Sequence, residues 1–381
     1  MKEKYAGIDY ESCANCFEKY GDVTSSLLYG DLSAIPEPWL TVFIPTYKRY
    51  DLFEQALESV LTQWHADFLW DVVVLDNEPY DGKPNRAEKL IRRLKNKRVL
   101  YYRNSENIPP ADNFNRGIQL ARGKWVTMLH DDDLLVGNTL QNLGKLIEAY
   151  DTPEKPLGAI AAKYIQLEYD AEQDLAKADR AKVDLPGLNA FLCSLPTDYK
   201  LYPLTHKNVK IYGQIGGCVP SNGTTFRKEA VLAAGGFNTD YGISGDLILF
   251  YNIENRYAVY QTEVPLGLYR WGSNIMINID STRQAIRDGY DFREYVYARH
   301  PIVGLLFRKC HYKKFTSDVV QERNNVCPLK ADISDFDDIY AQRPNGVWYF
   351  IYLHLICKFF SFTQKLRMKA AEKKALRKIK K

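Results

Sequence analysis

Three consecutive aspartates, Asp131, Asp132 and Asp133, carry the strongest chemical signal in this chain of 381 residues. They follow an apolar run at 125–129 and precede Leu134-Leu135. Adjacent carboxylates repel one another, so a cluster fixed at the end of a buried strand calls for a cation. Hard divalent ions take oxygen ligands, which makes Mg²⁺ or Mn²⁺ the natural occupant. Acidic triplets also sit on solvated loops and at helix N-termini; the apolar flanks favour the metal reading. A further acid, Asp246, stands just before the apolar stretch 247–253. A carboxylate there serves either as a helix N-cap or as a general base.

The glycine-rich phosphate cradles are missing. No G-x-G-x-x-G occurs, and the Gly-Lys pairs at Gly82, Gly123 and Gly144 are not followed by Ser or Thr. A nucleotide fold without such loops must neutralise a diphosphate in another way, and a carboxylate-held ion does so. The seven cysteines include one close pair, Cys13-x-x-Cys16, with no matching partners at zinc spacing nearby. An odd count of dispersed thiols reads as reduced cysteines in a cytosol.

These residues need elements to position them. Residues 40–44 form a short apolar run stopped by Pro45, the pattern of a buried strand. Leu52, Phe53, Ala56, Leu57, Val60 and Leu61 recur at helical spacing after Asp51, which suits an N-cap. Strands at 72–75, 99–102 and 125–129 alternate with helices at 87–94, 113–121 and 140–150. That alternation predicts βαβ units in a mostly parallel mixed sheet flanked by helices, with ligands at the carboxyl ends of the strands. Those ends read Pro45-Thr46-Tyr47, Asp76-Asn77, Arg103-Asn104 and His130 to Asp133. Residues 1–39 read as a loosely patterned leader ending at Pro36-Glu-Pro38, and residues 157–167 as a further strand.

Apolar residues at 46% and charged ones at 26% exclude a disordered or fibrous chain. The net charge of +4 is uneven. Residues 363–381 hold nine Lys or Arg and one Glu, so the remaining body is net −4, which argues against a nucleic-acid-binding body. No apolar stretch reaches the ~18 residues of a membrane span, and the polar opening decapeptide is no secretory signal. Residues 347–362 are aromatic-rich and apolar, interrupted by His354 and Lys358. As a helix that segment spans about 24 Å, short of a ~30 Å hydrocarbon core, so it is expected to lie in the interface with the basic tail on anionic headgroups.

The succession Ile44-Pro-Thr-Tyr-Lys-Arg49, Val73-Val-Leu-Asp-Asn77, Asn113-x-Asn-Arg-Gly117 with Ala121-Arg-Gly123, and then Asp131-Asp-Asp133 resembles family 2 of the inverting glycosyltransferases, over roughly residues 40–275. The resemblance implies the A-type glycosyltransferase fold, Rossmann-like, with Mn²⁺ or Mg²⁺. It implies that Pro45, Thr46, Tyr47 and Arg49 line the base and ribose pocket. Asp76 would contact the base, typically uracil, or its ribose. Asn113 and Arg116 would lie near the diphosphate, with Asp131 and Asp132 facing the nucleotide. Asp131 and Asp133 would be the metal carboxylates, Asp133 in direct contact. His130 stands where the family often has an acid, and is read as a strand-end residue ahead of a ligand. Asp246 occupies the place of the general base, although Gly245 replaces the usual preceding Glu. In the loop 269–274, which lacks the histidine many relatives carry, Arg270 is the candidate phosphate contact; Trp271 suits either sugar stacking or burial.

The expected organisation is an N-terminal extension (1–39), a nucleotide-sugar-binding half (40–150), an acceptor half (151–275), a C-terminal helical region (276–345) and a membrane-surface tail (346–381). The expected activity is transfer of a sugar from a nucleotide donor, a UDP-sugar above others, to a lipid-linked glycan in cell-surface polysaccharide synthesis. That places the chain in the cytoplasm, peripheral on the inner face of the membrane. The competing expectations are a sugar-phosphate nucleotidyltransferase and an inactive membrane-tethered scaffold.

Overall fold

The computed structural model describes residues 9–10, 12, 14–166, 201–204, 222–270, 278–299, 315–321, 323–325, 327, 329–339 and 355. The first half runs β1 (Ser25–Tyr29), β2 (Leu40–Thr46), α1 (Tyr50–Leu61), β3 (Trp70–Asp76), α2 (Arg86–Leu94), β4 (Val99–Asn104), α3 (Pro110–Leu120), β5 (Trp125–Met128), β6 (Leu134–Leu135) and α4 (Thr139–Tyr150). It continues with β7 (Leu157–Gln166), β8 (Leu201–Leu204), β9 (Thr225–Arg227), α5 (Lys228–Ala233), α6 (Gly245–Glu254), β10 (Ala258–Tyr269) and α7 (Ile279–Arg299).

The strands form one sheet in the order β1-β4-β3-β2-β5-β9-β7-β10-β6, with β8 also on β10. The run β4-β3-β2-β5 is parallel, as is the β7–β10 pair. The other pairs are antiparallel, so the sheet is mixed. Every position of β2 and β3 is buried, because helices cover both faces of the sheet. Leu40, Val42 and Ile44 meet Phe53, Leu57 and Val60 of α1, Leu90 and Ile91 of α2, and Leu143 of α4 on one side. Phe43, Val73 and Leu75 meet Ile118 of α3, Val231 of α5 and Phe250 of α6 on the other. α3 can lie this close because position 117 is glycine; a Cβ there would stand 1.9 Å from the Phe43 ring.

Two local expectations change. Asp51 does not cap α1: Arg49 holds the N-cap position without a side-chain bond, and Asp51 pairs with Arg86 from the first turn. Nor are the described residues before Leu40 loosely arranged. A 3₁₀ turn at Cys16–Glu18 and the antiparallel edge strand β1 attach them to α3 and β4. β1 is half exposed along its length, so it lacks the continuous apolar run that marks β2 and β3.

The expected tail at 346–381 lies outside the described residues except for Leu355, as do Cys13, Trp271 and residues 170–185. Among the described residues no helix is long and apolar enough to cross a membrane.

Candidate active site

β2 and β5 are parallel neighbours, so their carboxyl ends emerge side by side. The exit of β5 is pinned by backbone bonds: Leu129 N–H to the Phe43 carbonyl (2.9 Å), Met128 N–H to Thr224 (2.9 Å) and Gly223 N–H to Met128 (2.6 Å). The chain then turns tightly, with Asp133 N–H donating to the His130 carbonyl at 3.2 Å. β6 follows and pairs with Gly267 and Leu268 of β10, which brings Arg270 back to the acidic run.

The three aspartates part ways. Asp131 turns to the end of β2, where its Oδ2 accepts from Thr46 Oγ1 at 2.8 Å and from Tyr47 N–H at 3.3 Å. Asp132 pairs with Arg49 at 2.5 Å, and the same guanidinium stands 3.7 Å from Asp131. Asp133 accepts from Arg270 N–H at 2.7 Å, while the Arg270 guanidinium donates to Gln55 Oε1 at 2.9 Å. The ligand-capable atoms of His130, Asp132 and Asp133 all lie within 4.8 Å of one another. The ligand-capable atoms that lie together among the described residues are thus those of His130, Asp132 and Asp133; the expectation paired Asp133 with Asp131, whose carboxylate meets Thr46 and Tyr47. The turn at 130–133 brings a ligand atom of His130 within reach of Asp133, while Asp131 meets Thr46.

Electrostatics make this a place for positive charge. Burial, reinforced by the Asp132 charge, pushes Asp131 up to about 7 against the opposing pull of Arg49, Thr46 and the Tyr47 amide. Burial and then Asp132 push Asp133 well above the carboxylate range, against the Arg270 amide and guanidinium. Burial lowers the His130 imidazole, while the charges of Asp132 and Asp246 act in the opposite sense. Two carboxyls held away from their charged form by burial and mutual repulsion fit a divalent ion, which supplies the missing counter-charge.

Asp246 sits half-exposed in the first turn of α6, near enough to His130 for its charge to act on the ring. The approach to α6 is fixed from afar. Asn115 of α3 clamps Phe237 through both ends of its amide, donating to the carbonyl at 2.7 Å and accepting from the N–H at 2.8 Å. Gly236 has φ +84°, and a Cβ there would meet Asn115 Oδ1 at 2.5 Å. Lys19 Nζ reaches Asn238 (3.2 Å), Thr239 (3.1 Å) and Asp240 (3.3 Å), at the start of the 3₁₀ helix Thr239–Ser244 that leads into α6.

The remaining sequence candidates separate. Pro45 is buried within β2 opposite Leu75. Asp76 is buried, its oxygens taken by Glu78 N–H (2.9 Å), Asn85 Nδ2 (2.7 Å) and Tyr101 OH (2.8 Å); burial raises its pKa despite those donors. Asn113 is buried in an amide network with Asn104 and Asn77 that ties the β3 and β4 ends together. Arg116 donates to the Tyr20 carbonyl, toward the N-terminal segment. Tyr47 is exposed, with Lys48 Nζ 5.1 Å from its ring centre. Sequence reasoning missed Gln55 and Asn222, whose Oδ1 accepts from His130 N–H at 3.3 Å. Gln55 is a lone polar residue in an apolar helix pattern, and Asn222 sits in a turn-rich stretch and an Asn-Gly-Thr sequon, neither of which points to the acidic turn.

The fold and site define an α/β protein with a mixed sheet flanked by helices and an acidic turn at the adjoining ends of β2 and β5. Residues 41–164 match the model of the family Glycosyl transferase family 2. An uncharacterized glycosyltransferase of Rickettsia bellii is 34% identical over 109 residues, covering 29% of this chain and 15% of that protein. The GalNAc(5)-diNAcBac-PP-undecaprenol beta-1,3-glucosyltransferase of Campylobacter jejuni is 32% identical over 107 residues, covering 28% and 33%. A solved mannosyltransferase of Pyrobaculum calidifontis, in complex with GDP-Man and Mn²⁺, aligns at 14% identity over 94% of this chain and 92% of that one, with a TM-score of 0.46. The match spans 15 to 38% of the length of the first curated relatives.

Proposed function

We propose that this chain is an inverting glycosyltransferase that moves a sugar from a nucleotide donor, a UDP-sugar above others, to a lipid-linked glycan. The observation that carries the reading is the acidic turn 130–133 facing both the end of β2 and the first turn of α6, inside and beside the stretch that matches Glycosyl transferase family 2. A relative named for a polyprenol-linked acceptor supports the choice of acceptor class.

Asp132 and Asp133 would hold a divalent ion, Mn²⁺ or Mg²⁺, with Asp131 behind them fixing the end of β2. When bound, such an ion neutralises charge on the departing nucleoside diphosphate. Tyr47 offers an exposed ring at the strand end, and Arg49 a guanidinium now spent on Asp131 and Asp132. Asp246 takes the proton from the attacking acceptor hydroxyl as the new glycosidic bond forms. Attack from the face opposite the leaving group inverts the anomeric carbon and needs no covalent enzyme intermediate. The basic tail at 363–381 would hold the chain against anionic lipid on the cytoplasmic face, where such an acceptor is presented.

Asp246→Asn tests the assignment. It should lower transfer by about 10²–10⁴-fold while leaving UDP affinity in Mn²⁺ unchanged. Wild-type turnover in that variant would remove Asp246 as the base.

A further inference from the structure

We infer that His130 is itself a ligand of the ion in this site, which therefore selects first-row transition ions over Mg²⁺. The inference rests on the reading that the acidic turn holds a divalent ion, and adds a nitrogen to its donors. His130, Asp132 and Asp133 each direct one ligand-capable atom into a space no wider than 4.8 Å. Ligands bonded to one ion at ~2.1 Å stand up to ~4.2 Å apart, so a small side-chain adjustment closes the set.

The imidazole is held for that role. Its ring stacks on Phe114, with centroids 5.5 Å apart and planes at 18°. Its backbone is gripped on both sides, by Asn222 Oδ1 on the N–H and by Asp133 N–H on the carbonyl. The i to i+3 turn then brings an imidazole nitrogen and a carboxylate together. Asp131 is spent on Thr46 and Tyr47, so the cluster offers two carboxylates and one imidazole in place of three carboxylates.

This changes which ion fits. Mg²⁺ dehydrates reluctantly and takes oxygen ligands, whereas imidazole is a good ligand for first-row transition ions. Affinity for such a mixed donor set rises from Mn²⁺ to Co²⁺ along the divalent series. Arg49, paired with Asp132, is the competing cation and must yield or share that carboxylate when the ion enters.

The experiment is pulsed electron paramagnetic resonance on the Mn²⁺-loaded full chain labelled with ¹⁵N-histidine, beside calorimetric titration with Mn²⁺, Co²⁺ and Mg²⁺. We expect directly bonded ¹⁵N coupling in the wild type, its loss in His130→Ala and His130→Gln, and Mn²⁺ affinity at least about tenfold weaker in both variants. The Gln variant keeps the side-chain volume and carries no labelled nitrogen, so it serves if the Ala variant misfolds. Bound Mn²⁺ without nitrogen coupling, or coupling that survives both substitutions, overturns the inference and leaves the acidic ion site standing. No Mn²⁺ binding at all overturns both.

Discussion

The parallel run β2–β5 and the segment carrying Asp246 reach the same acidic turn by different means. From β2 to β5 each strand leads to the next over a single crossing helix, and the strand ends arrive together as a consequence of that winding. Asp246 and Arg270 are brought in by contacts that jump across the chain. Asn115 to Phe237 spans 122 positions, Asp133 to Arg270 spans 137, and Lys19 to Asp240 spans 221. The first region is a scaffold whose geometry follows from local sequence. The second packs Phe237 and Phe250 on the sheet, but its approach to the acidic turn depends on a few polar clamps and two left-handed glycines, so single substitutions should disturb it without dissolving the scaffold.

The largest effect should come from the acidic turn. Asp133→Asn keeps an acceptor for the Arg270 amide but removes the charge, and should weaken metal-dependent UDP binding by about 10–100-fold in calorimetry. Affinity within twofold of the wild type would place the ion elsewhere. Next comes the hinge of the second region. Gly236→Ala forces a side chain into φ +84° against Asn115 Oδ1 and should cost about 1–3 kcal/mol by urea denaturation. Were its stability unchanged, the Asn115 clamp would not be a constraint.

Lys19→Met cuts three contacts from a partly exposed ammonium and should cost about 1 kcal/mol or less. Its signature is faster hydrogen exchange in α6 with α1 unaffected; uniform change in both would deny that the clamps act on one region. The smallest effect lies in the scaffold itself. Burial raises Asp71 above the usual carboxylate range, and Thr41 and Arg122 offset only part of that. A raised folded-state pKa means stability present at acid pH and lost as pH rises through the folded value. Asp71→Asn should therefore soften the fall in urea midpoint from about pH 4 upward; equal slopes would contradict it.

The same contrast explains what could be read from the chain. The continuous apolar runs of β2 and β3, and the helical spacing from Leu52 to Leu61, made the scaffold and the acidic strand end legible. β1 was hidden because an edge strand buries half of each residue and needs no apolar run. The partition of the aspartates was hidden because it depends on one turn bond, from Asp133 N–H to the His130 carbonyl. Asp76 and Asn113 were legible as strand-end and helix-start polar residues, but not as buried members of internal networks. Gln55 and Lys19 carry no local signal at all, since each acts on a partner more than 200 positions away.

The most direct test of an ion-dependent nucleotide site is calorimetric titration of UDP into the full chain, once with Mn²⁺ and once with a chelator, beside GDP, dTDP and CMP. Binding of one nucleoside diphosphate, UDP first among them, is expected, and it should disappear when the ion is removed. Binding of equal strength with chelator, or none by any nucleotide in a folded sample, would contradict such a site and leave the acidic turn as a structural feature of the fold.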